Sequence, residues 1–153
     1  MRQCSNTRYD KFGHQTAITV GVKAHGPDDP EATVLMSNLA DAYTNRHRYA
    51  DAERLLKRAI AVTRKAFGPD HPDVAQALNN LAALYARQGR NAEAERLFKQ
   101  SVATFEKTLG PNHPELADVL ENLAGLYKDQ GRNADAERVL KRSAAIRGQA
   151  RPI

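Results

Sequence analysis

The chain has 153 residues, a formal net charge of +5, 41% hydrophobic and 27% charged residues, and a single cysteine, Cys4. One cysteine excludes an intrachain disulfide and a thiolate-built zinc site, and no apolar run approaches the roughly 18 residues that a membrane span needs. The N-terminus lacks the charged-then-apolar order of a secretory leader, so the expectation is a cytoplasmic chain in a reducing compartment.

In chain order, residues 1–25 look irregular until they are set 42 positions upstream of a later segment. Ala17-Ile-Thr-Val-Gly-Val-Lys-Ala-His-Gly26 then aligns with Ala59-Ile-Ala-Val-Thr-Arg-Lys-Ala-Phe-Gly68. The match predicts a decayed second helix of a preceding unit over about residues 8–25, with Gly13 and Gly21 each weakening it by up to about 1 kcal/mol. Gly26, Gly68 and Gly110 then open three segments spaced by 42 residues, of which the second and third agree at 22 of 42 positions and the first and second at 17. The repeats are 26–67, 68–109 and 110–147, followed by a tail at 148–153. All belong to one solenoid domain, because a unit this short must stack on its neighbours to bury its apolar stripe.

Each unit carries two helical patterns. In the first, Met36, Leu39, Ala40 and Tyr43 match Leu78, Leu81, Ala82 and Tyr85, then Leu120, Leu123, Ala124 and Tyr127; this spacing puts all four on one helical face. Gln88-Gly89-Arg90 and Gln130-Gly131-Arg132 mark the break, with His47 in place of the glycine in the first unit. The second helix carries Ala52, Leu56 and Ala59, matched by Ala94, Phe98 and Ser101 and by Ala136, Leu140 and Ser143. Small residues at Ala40, Ala52 and their copies let the two helices approach closely, and larger ones would overpack at roughly 1–3 kcal/mol. The predicted fold class is all-α, an α-solenoid of antiparallel helix hairpins.

The joints read Gly-Pro-Asp-Asp-Pro at 26–30, Gly-Pro-Asp-His-Pro at 68–72 and Gly-Pro-Asn-His-Pro at 110–114. Gly68 is expected to take a left-handed conformation and Pro69 to stop the helix. Pro72 sits at a first helical position, with His71 at the cap that Asp29 fills in the first unit.

Segments such as Leu78-Asn-Asn-Leu-Ala-Ala-Leu-Tyr-Ala-Arg-Gln-Gly-Arg-Asn-Ala-Glu-Ala-Glu-Arg-Leu-Phe-Lys99 closely resemble tetratricopeptide repeats, specifically the 42-residue variety of kinesin light chains and their bacterial relatives. The resemblance covers residues 26–147. It implies a right-handed superhelix whose concave surface, lined by first helices, binds short extended peptides, without catalysis or cofactor. Two departures set the chain apart from a motor subunit: it lacks a heptad segment, and it has fewer units than the light chains.

On the free face of the first helices one polar residue recurs, giving the ladder Asn38, Asn80 and Asn122. A primary amide both donates and accepts, so the ladder can clamp a peptide backbone or, equally, bridge neighbouring helices; in the family the matching asparagine contacts ligand backbone. Asn79, Arg87, Asn45 and Lys128 complete the expected peptide-binding set, while Asp41, Asp118, Glu121 and Asp129 on the same face make the groove mixed in charge. The excess cations fall on second helices, among them Arg54, Lys57, Arg58, Arg96, Lys99, Arg138, Lys141 and Arg142, where a solvated face is the simplest reading.

No P-loop is present. His71 and His113 stand 42 residues apart with no consistent ligand set around them, so no metal site and no enzyme are expected. The partner is expected to be a protein or peptide, with acidic character one meaning of the net charge. Two alternatives stand beside the peptide scaffold: self-association through repeat faces left apolar at the ends, and weak nonspecific contact of the second-helix cations with polyanions.

Overall fold

The computed structural model describes residues 29–150, with side chains through Gln149; the helix expected near residues 8–25 lies outside them. The described residues form six helices and no strand: α1 (Ala32–Asn45), α2 (Tyr49–Phe67), α3 (Pro72–Arg87), α4 (Asn91–Leu109), α5 (Pro114–Asp129) and α6 (Asn133–Ala150). The chain divides into two compact units between Ala66 and Phe67. The first carries α1 and all of α2 but its last residue, the second α3 to α6.

In the first unit Ala32 and Met36 of α1 pack on Ala59 of α2, with Leu55 partly buried beside them. Leu39, Ala40, Tyr43, Ala52 and Leu56 are buried as the periodicity predicts. In the second unit α3 packs on α4, α5 packs on α6, and both α3 and α4 contact α5, so its two hairpins stack in solenoid order. The stripes Leu78, Leu81, Ala82, Tyr85 and Leu120, Leu123, Ala124, Tyr127 are all buried. Ala82 and Ala94 have no exposed surface, which is why helix axes can close on each other there. Ser101, equally buried, donates its hydroxyl to the Ala75 carbonyl of the facing helix at 2.7 Å, so the interior loses no hydrogen bond. Leu140, the counterpart of Phe98, is only half-buried, because no further described helix covers the outer side of α6. That helix runs through Gly148 to Ala150, past the expected limit of the repeat at 147; one interior glycine costs only about 1 kcal/mol.

All three hairpin turns are Schellman motifs. The backbone N–H of Arg48, Arg90 and Arg132 donates to the carbonyl of Tyr43, Tyr85 and Tyr127 at 2.8, 2.9 and 2.8 Å. The residue between has positive φ: 60° at His47, 75° at Gly89 and 73° at Gly131. Each arginine then folds back over the ring of that tyrosine, at 4.3, 3.9 and 4.2 Å from the centroid. Its Nε also donates to an acid in the first turn of the next helix, Asp51 at 2.8 Å, Glu93 at 2.5 Å and Asp135 at 2.9 Å. One side chain thus joins the end of one helix to the start of the next through a cation–π contact and a charge-assisted hydrogen bond.

The joints are local caps. Nδ1 of His71 accepts from the Asp73 N–H at 3.1 Å and Nδ1 of His113 from the Glu115 N–H at 3.3 Å, as Oδ1 of Asp29 does from the Glu31 N–H at 2.9 Å. In the first unit this bond closes a turn and α1 begins only at Ala32. Gly68 has φ 88°, in the positive region expected of it, and Gly110 has φ 93° with ψ 165°, a positive-φ extended conformation open essentially to glycine alone.

Between the two hairpins of the second unit, Glu95 of α4 is the hub. It pairs with Lys99 at 2.7 Å and Arg132 at 2.8 Å, and accepts from the Tyr127 hydroxyl at 3.0 Å. The Lys99 hydrogen bond, helped by Arg132 and Tyr127 and opposed by burial, holds its carboxyl down at about 2.

Two outcomes follow for stability. Gly89→Ala is expected to cost about 1 kcal/mol through backbone strain alone, since a Cβ there meets nothing, whereas His47→Gly should gain about 0.5 kcal/mol; urea melts of the two variants should move in opposite directions. A depressed carboxyl pKa contributes stability that is complete above the ordinary glutamate value of 4.5 and is lost as pH falls towards about 2. Glu95→Gln should therefore cost roughly 1–2 kcal/mol at neutral pH, and the gap from wild type should close over that acidic window.

Candidate functional site

The exposed face of the first helices is the candidate site. In the first unit Asn38 and Asn45 are exposed on α1, and Val34, on the same helix, is 63% exposed. In the second unit Arg87 is exposed in the last turn of α3 and Lys128 in the last turn of α5. Asn80 is half-buried, and its carbonyl accepts from the Gln76 amide one turn earlier at 3.1 Å. Asn122 is exposed and donates to the carbonyl of Asn79 at 3.1 Å, across from α5 to α3.

Asn79 itself is buried, at 6% exposure. Of the expected set, then, Asn79 lies in the packing between α3 and α5 and not on the open face. Asn122 has the helix-bridging role through one N–H, while its second N–H and its oxygen remain for another partner. The neighbourhood differs between the two helices. The exposed positions of α5 include Glu115, Asp118, Glu121 and Asp129 against Lys128, whereas α3 exposes Asp73, Gln76 and Arg87.

The third hairpin also departs from the expected apolar outer face. Arg147 of α6 pairs with Asp118 and Glu121 of α5, both at 2.6 Å, and Ser143 donates to Glu121 at 2.8 Å. The Arg147 bond, then the Ser143 bond, lower the Glu121 pKa. In the preceding repeat the positions of Glu121 and Arg147 hold Asn79 and Phe105, both buried. Charged residues therefore occupy in the third hairpin what the second uses as a stacking surface. Val34 and Phe67 are the only large apolar side chains strongly exposed among the described residues.

Arg147, Ser143 and the three turn arginines had no place in the sequence-derived site. The turn pattern Tyr-x4-Arg-x2-Asp/Glu does recur at 42-residue spacing, but an arginine after a turn reads by itself as a solvated charge. Arg147 was visible only as a mismatch between repeats. Arg147→Phe, which restores the residue of the preceding repeat, should raise the average mass measured by light scattering at high protein concentration relative to wild type.

Among the described residues no three His, Cys, Asp or Glu side chains converge as a metal site, and no helix is long and apolar enough to cross a membrane.

The tetratricopeptide repeat family model matches residues 30–107 and 73–149. No curated protein sequence matches the chain. Among solved structures, BtubC (BKLC) from P. vanneervenii is similar with a TM-score of 0.77 at 21% identity, over 95% of this chain and 62% of that one. A Podosopora anserina protein assigned as a kinesin light chain, with nearly identical TPR-like repeats, is similar with a TM-score of 0.71 at 26% identity, over 92% of this chain and 66% of that one. A single-substitution variant of it gives 0.73 at 26% identity, over 90% and 65%. The chain thus spans just under two thirds of the length of these neighbours. Matched by the family model over most of its length and built of the hairpins described above, it belongs to the tetratricopeptide repeat family, with repeats like those of kinesin light chains.

Proposed function

We propose that the chain is a noncatalytic scaffold that binds a short extended peptide segment over the exposed face of its first helices. Membership in the tetratricopeptide repeat family makes a protein–protein interaction role the general expectation. The finer reading is carried by one observation: an asparagine recurs at the same register of α1, α3 and α5, half-buried at Asn80 and exposed at Asn38 and Asn122.

Within the second unit Asn80 and Asn122 supply donors and acceptors from two successive hairpins, and Asn38 repeats the same register in the first, a pattern suited to peptide backbone rather than to one side-chain sequence. Arg87, Asn45 and Lys128 flank the ladder and would set preference at its edges. Asn79, being buried, is assigned to holding Asn122 in place. Self-association through apolar end faces is the weaker reading, because the outer face of the third hairpin carries the Arg147, Asp118 and Glu121 ion pairs.

A fluorescence polarisation screen of short extended peptides, acidic-aromatic and basic, against wild type and an Asn80→Ala/Asn122→Ala variant tests the ladder. Peptides that bind wild type should lose about tenfold or more on the double variant, about the loss of one or two backbone hydrogen bonds. Equal affinity for both proteins would remove the ladder from the mechanism.

A further inference from the structure

The second unit offers a second surface that includes none of the ladder asparagines. Between α4 and α6 runs a half-open groove of about 420 Å³, within the volume range of ligand sites. Leu120 and Leu123 of α5, both buried, line its floor, and the half-buried Val102 of α4 and Val139 of α6 line its walls. Its rim is mostly cationic, with Lys99 from α4, Arg138 and Arg142 from α6, and Arg132 ahead of α6, alongside one acid, Asp135.

Each rim cation has an acidic partner, but at two of these pairs the signs stand at different heights. The side chains of Glu95, Asp135 and Glu106 are 19%, 28% and 37% exposed, whereas those of Lys99, Arg138 and Arg142 are 61%, 75% and 40% exposed. Glu95 and Asp135 are tucked against the helices and Lys99 and Arg138 reach over them, whereas Arg142 and Glu106 are about equally exposed, so an approaching ligand meets positive charge first at Lys99 and Arg138. An ammonium has three donors and a guanidinium five, leaving N–H groups for an incoming carboxylate without breaking the existing pairs.

We infer that this groove binds an acidic segment of a protein partner, which sets one apolar side chain between Val102 and Val139 and lays flanking carboxylates on Lys99, Arg138 and Arg142. The groove is walled by second helices, with a floor from α5, and shares no residue with the ladder. It therefore stands or falls independently of the peptide-binding reading above.

The probe is a fluorescein-labelled acetyl-Asp-Glu-Phe-Asp-Glu peptide, titrated with full-length protein at low salt. Polarisation should rise on binding to wild type and fall back as salt is added. Affinity should drop at least tenfold in Arg138→Glu and, separately, in Val139→Ser, and should be unchanged in Asn80→Ala/Asn122→Ala. Amide shifts of wild type on peptide addition, which need no variant to fold, should concentrate at residues 99–102 and 138–142. No binding at millimolar protein overturns the inference, as do equal affinity in either groove variant, loss in the ladder variant, or shifts confined to α3 and α5. So does binding of a Ser-for-Phe peptide or a single-stranded DNA 20-mer as tightly as the probe, since that would reduce the groove to a nonspecific polyanion surface.

Discussion

The arginine that follows each hairpin turn is the interaction on which the rest of the structure depends. Its backbone closes the Schellman bond that ends the first helix, its guanidinium covers the tyrosine whose ring fills the core below, and its Nε holds the first turn of the second helix. Two helices joined by a short turn could cross at many angles. A residue bound at once to the end of one and the start of the other leaves little choice, and burial of Ala82 and Ala94 then sets how closely the pair can pack. In the second unit Arg132 also reaches Glu95 of the preceding hairpin, so the same side chain that shapes one hairpin helps dock it on the one before.

Hairpins alike in their cores differ at their surfaces, and the differences are where function would reside. The buried stripes repeat almost unchanged, whereas the open faces of α3 and α5 carry different charge. Asn79 and Phe105 are buried, Asn79 bonded to Asn122 of α5; their counterparts Glu121 and Arg147 pair with each other at the surface. The same register can thus be a stacking contact in one repeat and a charged face in the next.

The histidine beside an acid at 71–73 and again at 113–115 has the composition of catalytic or metal chemistry. Its geometry is that of a cap, with the ring nitrogen accepting from the first N–H of the helix it precedes, that of the residue after the proline. Asp29 makes the equivalent bond where no histidine is present, so the joint needs an acceptor there and not a titrating ring.

The sequence by itself determined the hairpins, their buried stripes and the positions of their turns. A period of 42 residues, apolar residues at helical spacing and glycine after each break are local requirements that any copy of the unit must meet. It also exposed the asparagine ladder, because a polar residue recurring on the free face stands out against a varying background. Only the tertiary structure decided which of two adjacent asparagines is buried, that Arg147 spans two acids of the neighbouring helix, and that Arg142 of α6 pairs with Glu106 of α4. Those outcomes depend on which helix faces which and at what height a side chain emerges. Composition and spacing record a charge or an amide at a position, but the partner that neutralises or satisfies it is supplied by a helix about 25 to 40 residues away in the chain.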